Sequence, residues 1–345
     1  TIMNLNLNLL EKAIIATVVY YDVLDYPLTG FEVFKYLINP ARLISVDSQF
    51  SEIEPVGKIF LKDILETLGS RNISFFLEEK NGFYFLREPA SPSGGRGEIL
   101  EIRIDHQKIS DEKWKKAGKI IKWLQIIPYI KIVAVSGSLA MYNARKDSDI
   151  DLLIIARHKR IWTLRFLTSL FFQVISKRRH GVKTADRFCL NHFITDQSLK
   201  IDFPSLYNAQ TYAHLVVILE NEKRIYNKFQ QANNWIWDYL AFYDYQKIGN
   251  QRKIKTNSFL RNIGRFQEFI LSSFIGNILE SLLGFFQKRL IKKHSITQNK
   301  GGRIVANENQ LEFHPTSPET KILDKYNEKM ISLEFRVFEK DSGLN

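Results

Sequence analysis

Only one cysteine, Cys189, occurs in the 345 residues. That excludes an intrachain disulfide and fits a reducing, cytoplasmic setting. Between Phe188 and Leu190 it reads as a small buried hydrophobe. No basic start followed by an apolar run and a cleavage site is present, so export is not expected. A stretch of about 20 apolar residues, the length a membrane span needs, is missing too. The longest candidate, Phe269 to Leu279, is bounded by Glu268 and Glu280, and no membrane partner is expected. There is no internal repeat.

Acidic residues are scarce in two places. The chain carries 49 Lys and Arg against 37 Asp and Glu, a net charge of +12. Nine basic residues lie between Arg157 and Arg187 with Asp186 as the single acid. A second run, Lys288, Arg289, Lys292, Lys293, Lys300 and Arg303, has none. Such segments, 157–187 and 288–303, can hold a polyphosphate such as RNA or DNA, or form a solvated rim that aids solubility. A hydrophobic content of 45%, with 25 Phe and 14 Tyr, is ample for more than one core.

The chemistry concentrates in Val135 to Ile155, VSGSLAMYNARKDSDIDLLII. Lys131 to Val135 read as a short buried strand, and Gly137-Ser138 open a helix whose free amides suit a phosphate. Asp149 and Asp151 then stand i, i+2 on a strand, so both carboxylates share one face and can bind hard divalent cations. Hydrophobic strand, Gly-Ser, about ten residues, then Asp-Ile-Asp before Leu-Leu-Ile-Ile resembles the core of the DNA polymerase β-like nucleotidyltransferase superfamily. The resemblance implies that Gly137 and Ser138 hold the phosphates of a nucleoside triphosphate. It implies that Asp149 and Asp151 bind Mg²⁺ or Mn²⁺ for in-line transfer of a nucleotidyl group. Lys146 and Arg165 are expected on the nucleotide side of the same site. Trp162 and Arg165, one helical turn apart, either stack on a base or divide into a packed Trp162 and a solvated Arg165.

The family completes its site with a third carboxylate on a later strand. Here a polar turn, a helix from about Ile161 to Ser176 and a strand from Arg187 to Ile194 follow in the required order, but no acid lies inside that strand. Asn191 takes its place among the expected catalytic residues, with Asp186, Asp196 and Asp202 as substitutes outside the strand. His192 reads as a satisfied interior histidine.

Three units are expected: 1–89, 90–203 and 204–345. In the first, helices at Glu11–Tyr21, after the Thr29/Glu32 capping box, and near Phe60–Leu68 precede strands at Ile73–Leu77 and Phe83–Leu86 around Asn81-Gly82. That order resembles a winged helix-turn-helix domain. Its third helix carries Asp63 and Glu66 against Lys62, a poor reader of DNA, which favours a packing or partner-binding role. Pro89 to Gly97 is a linker by composition, and Asp111 to Ile126 an amphipathic helix. Beyond Asp202 helices are expected at Pro204–Glu220, Tyr226–Tyr239, Arg265–Lys293 and Lys321–Ile331, with an irregular stretch from Gly301 to Pro315; the Phe-rich helical faces read as core. The fold class expected is α+β: a small mixed-sheet nucleotidyltransferase core between a winged-helix-like domain and a helical region. The function expected is a metal-dependent nucleotidyltransferase acting on an acceptor hydroxyl, with RNA favoured and a protein or small molecule as other acceptors. The alternative is a non-catalytic nucleotide- or nucleic-acid-binding regulator on the same scaffold.

Overall fold

The computed structural model describes residues 7–43, 58–87, 98–181, 183–243, 252–293, 303–314, 317–335 and 339. Asn8 and Glu11 close a capping box that opens α1 (Leu9–Asp22), each side chain accepting from the other's amide at 2.9 Å. From Ala13 to Asp22 every residue of α1 is buried, as in a helix surrounded on all sides. The two-residue β1 (Leu28–Thr29) leads into α2 (Gly30–Lys35), started by the Thr29/Glu32 box. Next come α3 (Leu61–Leu68) and the single turn α4 (Arg71–Ser74). A hairpin of β2 (Leu77–Lys80) and β3 (Phe83–Leu86) follows, turning through Asn81 and Gly82, both at positive φ. Ile73 is therefore helical rather than in a strand; Ser70 caps that turn by accepting from the Ile73 amide. The three strands form a small antiparallel sheet in the order β1-β3-β2.

The linker expected at Pro89 to Gly97 lies outside the described residues. Immediately after it, α5 (Glu98–Ile121) begins well before Asp111 and ends in a 3-10 turn, Lys122–Ile126. Then come β4 (Ile130–Ser136), the four-residue α6 (Gly137–Ala140), β5 (Ile150–Ala156), α7 (Ile161–Val174) and β6 (Phe188–Thr195). β4 and β5 are apolar on both faces because helices cover both. β4 pairs with β5 antiparallel, while β5 pairs with β6 in parallel across the α7 crossover.

The segment after residue 203, expected to be helical, supplies half of the main sheet. α8 (Leu206–Ala213) stops at His214, and the β-branched run behind it forms β7 (Val216–Glu220), which pairs with β4. α9 (Ile225–Ala232) ends at Asn233 and a 3-10 turn follows. One long helix was expected at 265–293; instead α10 (Ser258–Leu271) and α11 (Phe274–Lys293) meet at a 92° bend. Of the stretch expected to be irregular, 303–314 is a hairpin, β8 (Arg303–Ala306) and β9 (Gln310–His314). It is tightened by Asn307 Oδ1, which accepts from the amides of Asn309 and Gln310. The main sheet runs β7-β4-β5-β6-β9-β8. The last helix, α12 (Glu319–Ser332), packs Leu323, Tyr326 and Met330 into the core around α1. The architecture is mixed α+β.

Opposite faces of the sheet meet different helices. Leu152, Ile154 and Phe193 face a core with Trp114 and Ala117 of α5 and Ile161, Trp162 and Phe172 of α7. Leu153, Ile155 and Ile194 face Ala209 and Tyr212 of α8 and Phe229 of α9. Because side chains alternate along a strand, Asp151 belongs to the second face.

Candidate functional site

Gly137 sits at φ +65°, at the end of β4 where the chain turns sharply into α6. A Cβ there would stand 2.7 Å from Asp151 Oδ2, so only glycine lets this backbone rest against the carboxylate. Ser136 pairs with Asp151 in the ladder, which fixes the Gly-Ser corner beside the acid. Gly137 and Ser138 are both half-buried, leaving the corner reachable. α5 supports it from behind: Trp114 Nε1 donates to the Leu139 carbonyl at 3.1 Å, and Ser110 Oγ accepts from the Ala144 amide at 3.1 Å.

Asp149 and Asp151 converge. Each offers a carboxylate oxygen that lies, together with Cys189 Sγ, within 4.8 Å of the others. A register shift in the β5/β6 pairing, from Asp151–Cys189 to Leu153–His192, opens a bulge holding Leu190 and Asn191. Through it, Asn191 Nδ2 donates to Asp151 Oδ1 at 3.2 Å. Burial, reinforced by the neighbouring Asp149 charge, pushes the Asp151 carboxyl up to about 7 against the opposing pull of Arg179. Asp149 Oδ2 lies 2.8 Å from Arg179 Nη1 yet accepts no hydrogen bond, so the contact is one of charge without direction. Arg179 Nη1 donates instead to Cys189 Sγ at 3.3 Å.

These donors fit a hard divalent cation. One buried oxygen of Asp149 lacks a hydrogen-bond donor, and burial, then the neighbouring Asp149, disfavours the charged form of Asp151. Cys189 does not add to that set: burial and then the two aspartates raise its thiol far above the ordinary range, and a neutral sulfur is a poor ligand for Mg²⁺.

No described third carboxylate joins the pair. Burial raises the Asp186 carboxyl, but Lys113 at 2.8 Å and Lys116 at 2.5 Å outweigh it and hold it below its usual range. Asp196 accepts from the His158 amide at 2.8 Å, and Asp202 is exposed with no contact to the pair. The buried carboxylate nearest in register on the neighbouring strand is Glu312, opposite His192 on β9. It is committed to Arg303 at 2.6 Å and Gln310 at 3.0 Å. His192, His314 and Glu312 also have ligand atoms within 4.8 Å of one another. Burial, with Arg303 beside it, pushes His192 down to about 3, so its imidazole is neutral; Nδ1 meets Tyr212 Oη at 3.3 Å, and Nε2, 4.0 Å from Glu312 Oε2, makes no hydrogen bond.

Two cations expected at the nucleotide do not reach the acids. Lys146 is exposed, and its carbonyl accepts from Lys113 Nζ at 3.0 Å. Arg165 turns to Gln287 at 2.5 Å and lies over the Phe313 ring, 4.9 Å from its centroid; burial and then Arg178 bring it down to about 10. Trp162 cannot stack on a base: it is buried, with Nε1 donating to Glu308 at 2.8 Å. Within the first basic run, Arg157 and Arg160 donate to Ser272 and Asn277, and Arg187 to the carbonyls of Ser176 and Arg178. In the second, Lys288 pairs with Glu308 and Arg303 with Glu312 and Glu319.

Three residues at or behind the site carried no readable signal at their own positions. In the sequence Arg179 is one cation among nine, Cys189 reads as core, and Lys113 lies on a helix defined by its apolar stripe. The buried Lys113 ammonium binds the Lys146 and Ser148 carbonyls and Asp186 Oδ1, tying the loop before Asp149 to the loop before β6. Only the fold brings those loops together. No protein-family model, no curated protein sequence and no solved structure matches this chain.

Proposed function

We propose that this chain is a metal-dependent nucleotidyltransferase that moves a nucleoside monophosphate from a triphosphate onto an acceptor hydroxyl. The observation that carries the reading is the seat of Gly137 against the Asp151 carboxylate, with Asp149 converging on it. A glycine-serine corner and a carboxylate pair on adjoining strand ends are the parts such transfer needs. The order of the first elements resembles a winged helix, and the Gly-Ser and Asp-x-Asp motif resembles that of polymerase β-like enzymes.

Asp149 and Asp151 would hold Mg²⁺ or Mn²⁺, which when bound neutralises triphosphate charge and acidifies the attacking hydroxyl. Gly137 and Ser138 present backbone amides and a hydroxyl to the phosphates. Asn191 orients Asp151 through its amide, and Arg179 balances the pair until a cation arrives. Arg178, Arg179 and Lys183, on the chain leading into β6, offer positive charge to a nucleic-acid acceptor, with RNA favoured.

The second reading, a nucleotide-binding regulator without turnover, is favoured by one specific feature. Asn191 stands where a third carboxylate would take the acceptor proton, and Asp186, Asp196 and Asp202 are engaged or exposed elsewhere. Incubation with labelled nucleoside triphosphates, Mg²⁺ or Mn²⁺ and mixed RNA, protein and small-molecule acceptors separates the two. Transfer of label, lost in the Asp149→Ala, Asp151→Ala double variant, supports the enzyme. Triphosphate binding by calorimetry with no transferred label supports the regulator.

A further inference from the structure

α10 and α11 are built inside out. The fully buried residues of α11 are Gly276, Glu280, Gly284 and Gln287, all small or polar, with Leu283 and Ile291 half-buried against the core beside them. Its outward positions include Phe274 at 76% exposure, Ile275 at 69% and Leu290 at 67%. In α10 the inward residues include Leu260 and Gly264, while Phe259, Phe266 and Phe269 are 73%, 64% and 80% exposed. Beside α11, α7 shows an apolar row at helical spacing, Phe166, Leu170 and Val174. Of the twenty-four exposed large apolar side chains among the described residues, fifteen lie on these three helices or the residue after α7. A soluble surface scatters such residues singly; gathering them marks an interaction site.

The orientation is locked from the inner side. Glu280 accepts from the Trp162 and Thr163 amides at 2.9 and 2.8 Å, capping the start of α7, and Gln287 Nε2 donates to the Trp162 carbonyl at 2.9 Å. A Cβ on Gly284 would sit 3.0 Å from the Trp162 ring, and one on Gly264 would sit 2.7 Å from the Gln125 carbonyl. Rotating either helix to bury its phenylalanines would break these contacts. The outward phenylalanines are thus the consequence of a specified packing.

Charge selects the medium. Glu268 and Glu280 are the only acids in α10 and α11, and both are turned to backbone amides, Tyr129 in one case and α7 in the other. The cations Arg265, Arg289, Lys292 and Lys293 are exposed. An apolar field whose own helices point no carboxylate outward and whose rim is lysine and arginine, with Glu308 beside it paired to Lys288, complements an anionic lipid surface. A second copy would set the same cations against each other. No single described helix is long and apolar enough to cross a bilayer; α10 and α11 reach that length and hydropathy only together, as a pair bent by 92°.

We propose that the apolar face of α7, α10 and α11 docks this protein on the surface of a membrane containing anionic lipid. α7 packs on the sheet face opposite the one that carries Asp151. Such docking runs against the expectation of no membrane partner.

Flotation of the full chain tests this with vesicles of phosphatidylcholine alone and with about one-third phosphatidylglycerol added. The wild type is expected to float with the anionic vesicles, to float weakly with the neutral ones, and to be partly released by salt. The triple variant Phe269→Ser, Phe274→Ser, Phe285→Ser, altered only at exposed positions, is expected to lose at least about tenfold in partitioning with an unchanged melting temperature. Should that variant not fold, Phe274→Cys carrying a polarity-sensitive dye is expected to blue-shift on adding anionic vesicles, since the native Cys189 is buried. The proposal is overturned by a wild type that stays unbound, by a triple variant that floats like the wild type, or by a dye insensitive to vesicles. A dimer or an acidic-protein complex that requires these phenylalanines, with no flotation, overturns it equally. None of these readouts involves nucleotide, so the outcome is independent of the proposed enzyme activity.

Discussion

Replacing Asp151 by Asn should stabilise the protein at pH 8 far more than at pH 5. In the folded state burial and Asp149 lift the Asp151 carboxyl from the usual 3.8 to about 7. The native state therefore holds a proton that the unfolded chain has released between roughly pH 4 and 7, and wild-type stability falls as pH rises through that window. Below pH 4 both states are protonated and no penalty exists; above pH 7 it is complete. Three pH units correspond to a ceiling of about 4 kcal/mol. Solvent access to the half-buried carboxylate reduces what survives, and the shift belongs jointly to the two aspartates, so about 2 kcal/mol is expected. Asparagine has the same shape and no charge to desolvate. Urea unfolding of wild type and Asp151→Asn across pH 5 to 8.5 is the assay. The expected outcome is a stability difference that grows by at least about 1 kcal/mol toward alkaline pH. Millimolar Mg²⁺ should stabilise the wild type at pH 8 and leave Asp151→Asn unmoved. A difference flat across pH would show that Asp151 is not held in an unfavourable field, and the case for a cation at this pair would lose its physical basis.

Gly137→Ala must accept both a left-handed φ and a Cβ 2.7 Å from Asp151 Oδ2; a loss of about 2–4 kcal/mol in unfolding free energy is expected, with weaker triphosphate binding by calorimetry. Lys113→Met removes the ammonium that joins two carbonyls to Asp186, and about 3 kcal/mol should be lost, with faster hydrogen exchange at residues 146–148. Glu280→Ala uncaps the start of α7 and should cost about 2–3 kcal/mol by denaturant unfolding, whereas Glu280→Gln, which retains one acceptor oxygen, should cost about half of that.

Local periodicity settled a large part of this molecule. The apolar run Lys131–Val135, the run after Asp151 and the strand ending at Ile194 lie within β4, β5 and β6, because an uninterrupted β-branched stretch between polar turns has few other ways to be buried. The Thr29/Glu32 box and the Asn81-Gly82 turn likewise follow from bonds made within four residues. The spacing of Gly137-Ser138 and Asp149-x-Asp151 brought the corner and the acids together without further help. What failed was the region after Asp202. Val216–Glu220 and 303–314 become strands only because β4 and β6 offer open edges, and edge pairing is a long-range fact. α10 and α11 defeated periodicity in another way: their apolar stripes are real, but which side faces the protein depends on Trp162 and Gln125 meeting Gly284 and Gly264. The position of Arg179 over Asp149, the bulge that turns Asn191 toward Asp151 and the Lys113 clamp are likewise products of tertiary structure. The sequence by itself determined the short-range hydrogen bonds and the faces of single strands; contacts between residues tens to hundreds of positions apart decided the sheet order, the surroundings of the acid pair and the outward turn of the phenylalanines.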